Sequence, residues 1–190
     1  MKKLAVIFPG VGYTKDRPLL YYSGKMAAGY GFELRFLDFS GIKWSKEELK
    51  DPVFLNNTLE RCLEITDTSF KDMDDLSGYE LYFISKSIGT VVATAYAKKH
   101  ALKAGQICFS PLTAIESYVT DKDTMLFYGD NDPMADHEII EKIMDEKGLK
   151  GMRINGGNHS LETGDIGRDI DNLKDMMECI EKIMGKGNKV

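Results

Sequence analysis

Short apolar runs alternate with longer amphipathic segments along this chain, and that alternation constrains the fold more than any other feature. Leu4-Ala5-Val6-Ile7-Phe8 is an unbroken apolar run halted by Pro9-Gly10, the pattern of a strand covered on both faces. Behind Pro18, a residue suited to the first helical position, Leu19, Tyr22, Met26 and Tyr30 recur at helical spacing until Gly29 and Gly31 end the segment. Further strands are expected at Glu33 to Phe39, Tyr79 to Ile84, Gly105 to Phe109, Thr124 to Tyr128 and Gly151 to Ile154. Further helices are marked by Leu55, Leu59, Leu63 and Thr66, by the stretch Thr90 to His100, and by Ile139, Ile140, Ile143 and Met144 after Pro133. Ile170, Leu173, Met177, Ile180 and Met184 make the clearest helical stripe, and all these stripes read as sheet-facing core. A polar stretch around Trp44 interrupts the pattern. Repetition of β and α about six times predicts an α/β three-layer sandwich: a mostly parallel sheet of about six strands with helices on both faces.

A chain of 190 residues is enough for one domain with one substantial core, taken to span 1–190 with a frayed tail at 185–190. An apolar fraction of 43% and a charged fraction of 29% suit an ordered globular protein. The net charge of −5, with no basic run, argues against nucleic acid or an anionic membrane as the partner. Cys62, Cys108 and Cys179 lie far apart, with neither metal-ligand spacing nor a disulfide framework, which suits a reducing cytoplasm. The apolar run near the start is too short for a signal peptide, and no stretch reaches the roughly 18 apolar residues of a membrane span.

The segment Leu81-Tyr82-Phe83-Ile84-Ser85-Lys86-Ser87-Ile88-Gly89-Thr90 reads as strand, very tight turn, helix. A serine hydroxyl is a poor nucleophile unless it is exposed, rigidly held and within reach of a base. A sharp strand-to-helix turn supplies the first two conditions, provided the residues two before and two after the serine are small. Ser85 and Gly89 stand at those places around Ser87. The helix start also offers free backbone N–H groups, that of Ile88 foremost, to a developing oxyanion. Ser85-Lys86-Ser87-Ile88-Gly89 resembles the G-x-S-x-G nucleophile elbow of the α/β-hydrolase superfamily, with serine in place of the first glycine. The plainer use of Ser87 is as an N-cap in an ordinary βα turn.

In that superfamily an Asp commonly lies three residues after a glycine that closes a strand, a position Asp132 fills in Tyr128-Gly129-Asp130-Asn131-Asp132-Pro133. Asp130 is the competitor, with a turn role open to it, and Asp132 could instead cap a helix begun by Pro133. Of the three histidines, His100 ends a helix after Lys98-Lys99, and His137 falls in the first turns of a helix, where it is expected to be exposed. His159 lies in Asn155-Gly156-Gly157-Asn158-His159-Ser160, directly after the last strand, and this loop resembles the histidine loop of the same superfamily. Ser87, Asp132 and His159 follow the superfamily's chain order, each just past an expected strand.

Phe8-Pro9-Gly10-Val11-Gly12-Tyr13-Thr14 is neither a dinucleotide fingerprint, since Lys15 stands where the third glycine belongs, nor a phosphate loop. The resemblance implies that this loop donates the second oxyanion N–H, from Val11 with Gly12 behind it. It also implies a compact, lidless serine hydrolase that cleaves an ester or thioester of a small acyl substrate without metal or organic cofactor. The mouth is expected to be open and rimmed by Gly12, Tyr13, Arg17, Lys86 and Leu112. The rival readings are a non-catalytic hydrolase-fold binding protein and a flavodoxin-like or Rossmann nucleotide binder.

Overall fold

The computed structural model describes residues 1–43, 48, 51–73, 75–120 and 122–185. Trp44 and residues 186–190 of the expected tail lie outside them. Among the described residues six strands, β1 (Lys2–Phe8), β2 (Glu33–Phe36), β3 (Tyr79–Lys86), β4 (Ala104–Phe109), β5 (Thr124–Gly129) and β6 (Lys150–Ile154), form one sheet in the order β2-β1-β3-β4-β5-β6. Every neighbouring pair is parallel. Among the described residues, five α-helices connect or follow them: α1 (Pro18–Gly29), α2 (Pro52–Ser69), α3 (Ile88–Lys99), α4 (His137–Lys147) and α5 (Ile166–Met184).

Alternating side chains divide the strands between two cores. Leu4, Val6 and Phe8 of β1 and Leu81 and Phe83 of β3 face α2 and α3, and Cys108, Leu126 and Tyr128 continue that face under α4. Ala5, Ile7, Ile84, Ile107, Phe109 and Phe127 face α1 and α5. Burial on both faces explains the unbroken apolar run of β1, where Leu4, Ala5, Val6 and Phe8 have no exposed surface. Each such large side chain contributes about 1.5–3 kcal/mol by leaving water.

Local signals set the helix starts. Asp51 and Asp136 accept backbone N–H bonds from Val53 and Glu138 at the heads of α2 and α4, and Asp165 accepts from Arg168 at the head of α5. Three expectations need correction. Pro133 does not open the following helix; the chain turns first and α4 begins at His137, which is half-buried rather than exposed. The α1 stripe is offset, because Leu19, Leu20, Ser23, Gly24 and Ala27 are buried whereas Tyr22 is exposed. Ile170 is 62% exposed, because the first turns of α5 project past the core that buries Met176, Ile180 and Met184.

The chain runs outward from β1 to β2 and then crosses back to place β3 on the other side of β1. Such a reversal opens a crevice at the carboxyl ends of β1 and β3, where open α/β sheets bind ligands. The glycine loop after β1 and the turn after β3 flank that crevice.

Candidate active site

The turn after β3 is as sharp as its composition requires. Ser87 has φ 57° and ψ −125°, a conformation that a non-glycine residue adopts only when its surroundings enforce it. Its N–H bonds to the Phe109 carbonyl at 3.0 Å, extending the β3–β4 ladder by one residue into the turn. Its carbonyl accepts from the Thr90 N–H at 2.9 Å and from the Thr90 hydroxyl at 2.6 Å, which anchors the start of α3. Helix α3 then passes so close to the end of β1 that a Cβ on Gly89 would lie 2.4 Å from the Phe8 carbonyl oxygen. Only glycine fits there. Ser85, in the place of the motif's first glycine, is buried, and its hydroxyl donates to the Ile107 carbonyl at 3.1 Å.

Three loops bring the expected residues together. His159 Nε2 lies 2.8 Å from Ser87 Oγ, and His159 Nδ1 lies 2.8 and 3.0 Å from the two oxygens of Asp132. A ring nitrogen against a carboxylate carries the proton, so Nδ1 donates to Asp132 and Nε2 is left to accept from the Ser87 hydroxyl. The Asp132 side chain is 3% exposed, and its Oδ1 also accepts the Met134 N–H at 2.8 Å. A buried carboxylate is tolerated when its oxygens are satisfied in this way.

Asp130 does other work. Its carboxylate pairs with Arg153 Nη2 at 2.9 Å and accepts the Gly156 N–H, which ties the end of β5 to the base of the histidine loop. The Arg153 hydrogen bond, then that of Gly156, holds the Asp130 carboxyl below the usual carboxylate range. The same junction constrains Gly129, where a Cβ would fall 2.0 Å from the Gly157 carbonyl oxygen. At the loop tip, the Asn158 side chain accepts from the Ser160 N–H at 2.7 Å, and the Leu161 N–H donates to the Asn158 carbonyl at 2.8 Å. The other histidines are elsewhere: His100 pairs with Asp67 at 3.0 Å, and His137 opens α4. Burial pushes the Cys62 and Cys108 thiols up to about 12, which leaves neither as a competing nucleophile.

The loop after β1 makes a tight turn in which Gly10 and Tyr13 exchange backbone hydrogen bonds of 3.2 and 3.4 Å. A Cβ on Gly10 would stand 3.1 Å from the Ser87 Cβ, so this turn lies directly against the elbow. Val11 follows that contact, and Ile88 heads α3 on the other side of Ser87, where helix geometry leaves its N–H without an intrahelical acceptor.

The residues expected on the rim differ in exposure. Gly12 and Arg17 are exposed and Tyr13 is half-buried. Lys86 and Leu112 are not on it. Leu112 is 5% exposed, packed in the core shared with Phe8 and Ile88. Lys86 is 1% exposed, because its side chain leaves β3 on the inward α1 and α5 face, beneath the loops. Its Nζ donates to the His159 carbonyl at 2.6 Å and sits 5.2 Å from the centre of the Tyr13 ring. Ser110, which sequence reasoning passed over, donates its hydroxyl to the same carbonyl at 2.9 Å. Its one signal was its place immediately past β4, at the edge where the other site residues emerge.

An open groove of about 430 Å³ borders the loop that carries His159. Tyr13, Pro18, Leu19, Leu161, Ile166 and Ile170 form its apolar walls, and Asn158 and Ser160, the chain neighbours of His159, stand on its edge. Burial pushes the Tyr13 hydroxyl up to about 12, and this neutral hydroxyl accepts the Leu19 N–H at 3.2 Å.

No protein-family model and no curated protein matches the sequence. Solved structures do match the fold. Est1E of Butyrivibrio proteoclasticus, solved with ferulic acid bound, shares 16% identity over 97% of this chain and 88% of its own, with a TM-score of 0.67. An α/β serine hydrolase without lid from Xanthomonas campestris shares 12% identity over 98% of this chain and 83% of its own, with a TM-score of 0.65. An α-β serine hydrolase homologue from Coxiella burnetii shares 13% identity over 94% and 84%, with a TM-score of 0.63. The chain has the α/β-hydrolase fold. Among the described residues, no helix is long and apolar enough to cross a membrane.

Proposed function

We propose that this protein is a serine hydrolase that cleaves a carboxylic ester or thioester through an acyl-enzyme intermediate. The carrying observation is the unbroken hydrogen-bonded line from Ser87 Oγ through His159 to Asp132. A fold hosts many functions, and the site, not the fold, carries the reaction.

His159 Nε2 takes the Ser87 hydroxyl proton as Oγ attacks the substrate carbonyl carbon. Asp132 keeps the imidazole oriented and stabilises its protonated form. The oxyanion that develops on the carbonyl oxygen is held by the Ile88 and Val11 N–H groups, each worth about 3–4 kcal/mol of transition-state stabilisation. The imidazolium then gives its proton to the leaving oxygen or sulfur as that bond breaks. A water molecule, deprotonated by the same nitrogen, attacks the acyl-enzyme and releases the acid. These steps need only the chain's own groups and water. The apolar stretch of the groove, Leu19, Leu161, Ile166 and Ile170, supports an apolar substituent on the substrate, and Glu162 and Asp169 on the same lining disfavour a negative charge there.

A fluorophosphonate probe tests the reading. Wild type is expected to be labelled on the peptide that contains Ser87, and Ser87→Ala to resist labelling while folded. Labelling at another serine, or none on the folded wild type, would refute it.

A further inference from the structure

The histidine loop between β6 and α5 is long, and two of the bonds that shape its backbone act only on its base or its own turn. Asp130 holds Gly156 at the base, and Asn158 closes the turn around His159 upon itself. Neither links the tip to the elbow. Besides the imidazole itself, which reaches Ser87, two side chains hold the tip to the strand ends beneath it, and both reach the same atom, the His159 carbonyl oxygen.

They come from neighbouring strand ends. Lys86 is the last residue of β3 and is in register with Phe109, the last of β4; Ser110 is the next residue. Lys86 Nζ at 2.6 Å and Ser110 Oγ at 2.9 Å can fill both lone pairs of the carbonyl. Lys86 also neighbours Ser87 in sequence, and its Nζ lies at cation–π distance from Tyr13, the closing residue of the Gly10–Tyr13 turn. One buried side chain thus starts in the nucleophile segment and reaches both the oxyanion loop and the base loop, the three parts that must be in register. Burial excludes the other use of a lysine here, contact with an anionic substrate, because the side chain has almost no exposed surface.

We infer that Lys86 is a positioning residue: by donating to the His159 carbonyl beside Ser110, and by lying under the Tyr13 ring, it holds the imidazole between Ser87 and Asp132 in register with the oxyanion loop. This rests on the hydrolase reading above. A base displaced by about 1 Å loses on the order of 100-fold in rate, so a loop tip needs such a hold.

Lys86→Met keeps the stem and removes the donor. Expected are a kcat about 100-fold lower with KM little changed, slower fluorophosphonate labelling of Ser87, and a weakened or lost low-field proton NMR signal from His159 Nδ1–H. Ser110→Ala, removing the other donor, is expected to cost about 10-fold, and the two losses should not multiply, since both donors serve one oxygen. If Lys86→Met labels at the wild-type rate with its Nδ1–H signal intact, or if only KM rises, the inference is wrong. Should Lys86→Met fail to fold, Ser110→Ala decides: unchanged kcat and an unchanged signal would overturn the inference. If wild type neither hydrolyses esters nor labels, the hydrolase reading is what fails. The NMR comparison of wild type with each variant still decides whether Lys86 and Ser110 seat His159 on Asp132.

Discussion

The two edges of the sheet differ in a way that cavity size would not suggest. At the amino ends of the strands lies the larger hollow, about 780 Å³, bordered by Tyr79, Tyr82, Lys103, Lys122, Met125 and Lys150. At the carboxyl ends the groove is about 430 Å³. Yet the lining of the larger hollow contains no histidine or cysteine among the described residues, whereas the carboxyl edge gathers serine, histidine and aspartate within hydrogen-bond distance. The cause is topological. In an all-parallel sheet every strand leads into its following loop at the same edge, so residues distant in sequence converge there, beside helix starts with free N–H groups. Space can form at either edge; convergent chemistry forms at one.

Substitutions can break this contrast. His159→Ala and Asp132→Asn strike the carboxyl edge hardest. Ester hydrolysis should fall by about 10⁴-fold or more in each, as measured by kcat/KM on folded protein. A loss of less than about 10-fold in Asp132→Asn would mean that the acid is assigned wrongly.

Asp130→Asn sharpens the contrast within that edge, between a carboxylate that faces the chemistry and one that supports it. Activity should drop by no more than about 10-fold. Because Arg153 and Gly156 lower the pKa of Asp130, its hold on the loop is fully present above the ordinary carboxylate value, about 3.9, and is lost as pH falls through the lowered one. Hydrogen exchange in the histidine loop should show that acid dependence in wild type and not in Asp130→Asn.

Ile170→Asp probes the groove. On p-nitrophenyl esters of increasing chain length, kcat/KM for long chains should fall by about 10-fold, while the acetate ester is little affected. A uniform change at every length would remove the groove from substrate binding. Lys103→Met, at the amino edge, should leave kcat/KM within about twofold of wild type; a larger loss would place function in the bigger hollow.

The fold was legible because burial on both faces writes itself into sequence as continuous apolar runs, as in Leu4 to Phe8. That Ser87, Asp132 and His159 would meet was legible because each follows such a run, and because the chain holds few histidines to choose from. Lys86 was misplaced for a physical reason. The motif constrains its neighbours to be small but says nothing of the residue between them, and whether that side chain meets solvent depends on which loops later cover it. Ser110 was missed because its partner is a backbone carbonyl, and a backbone acceptor leaves no mark in sequence. Ile170 has the right period for core, but periodicity cannot show that the first turns of α5 overhang the sheet. Asp130 and Asp132 share a turn and a charge; only the direction each side chain takes separates the structural acid from the one on His159.

The central claim is that Ser87 becomes acylated and that water, activated at His159, releases the acyl group. Acid-quenched mixing with p-nitrophenyl butyrate, followed by peptide mass mapping, tests it most directly. Expected is a butyryl adduct on the Ser87 peptide that forms and decays in wild type, forms far more slowly and persists in His159→Ala, and never forms in Ser87→Ala. Turnover of the ester by folded Ser87→Ala at the wild-type rate, or an adduct on any other residue that forms and decays with turnover, would contradict it.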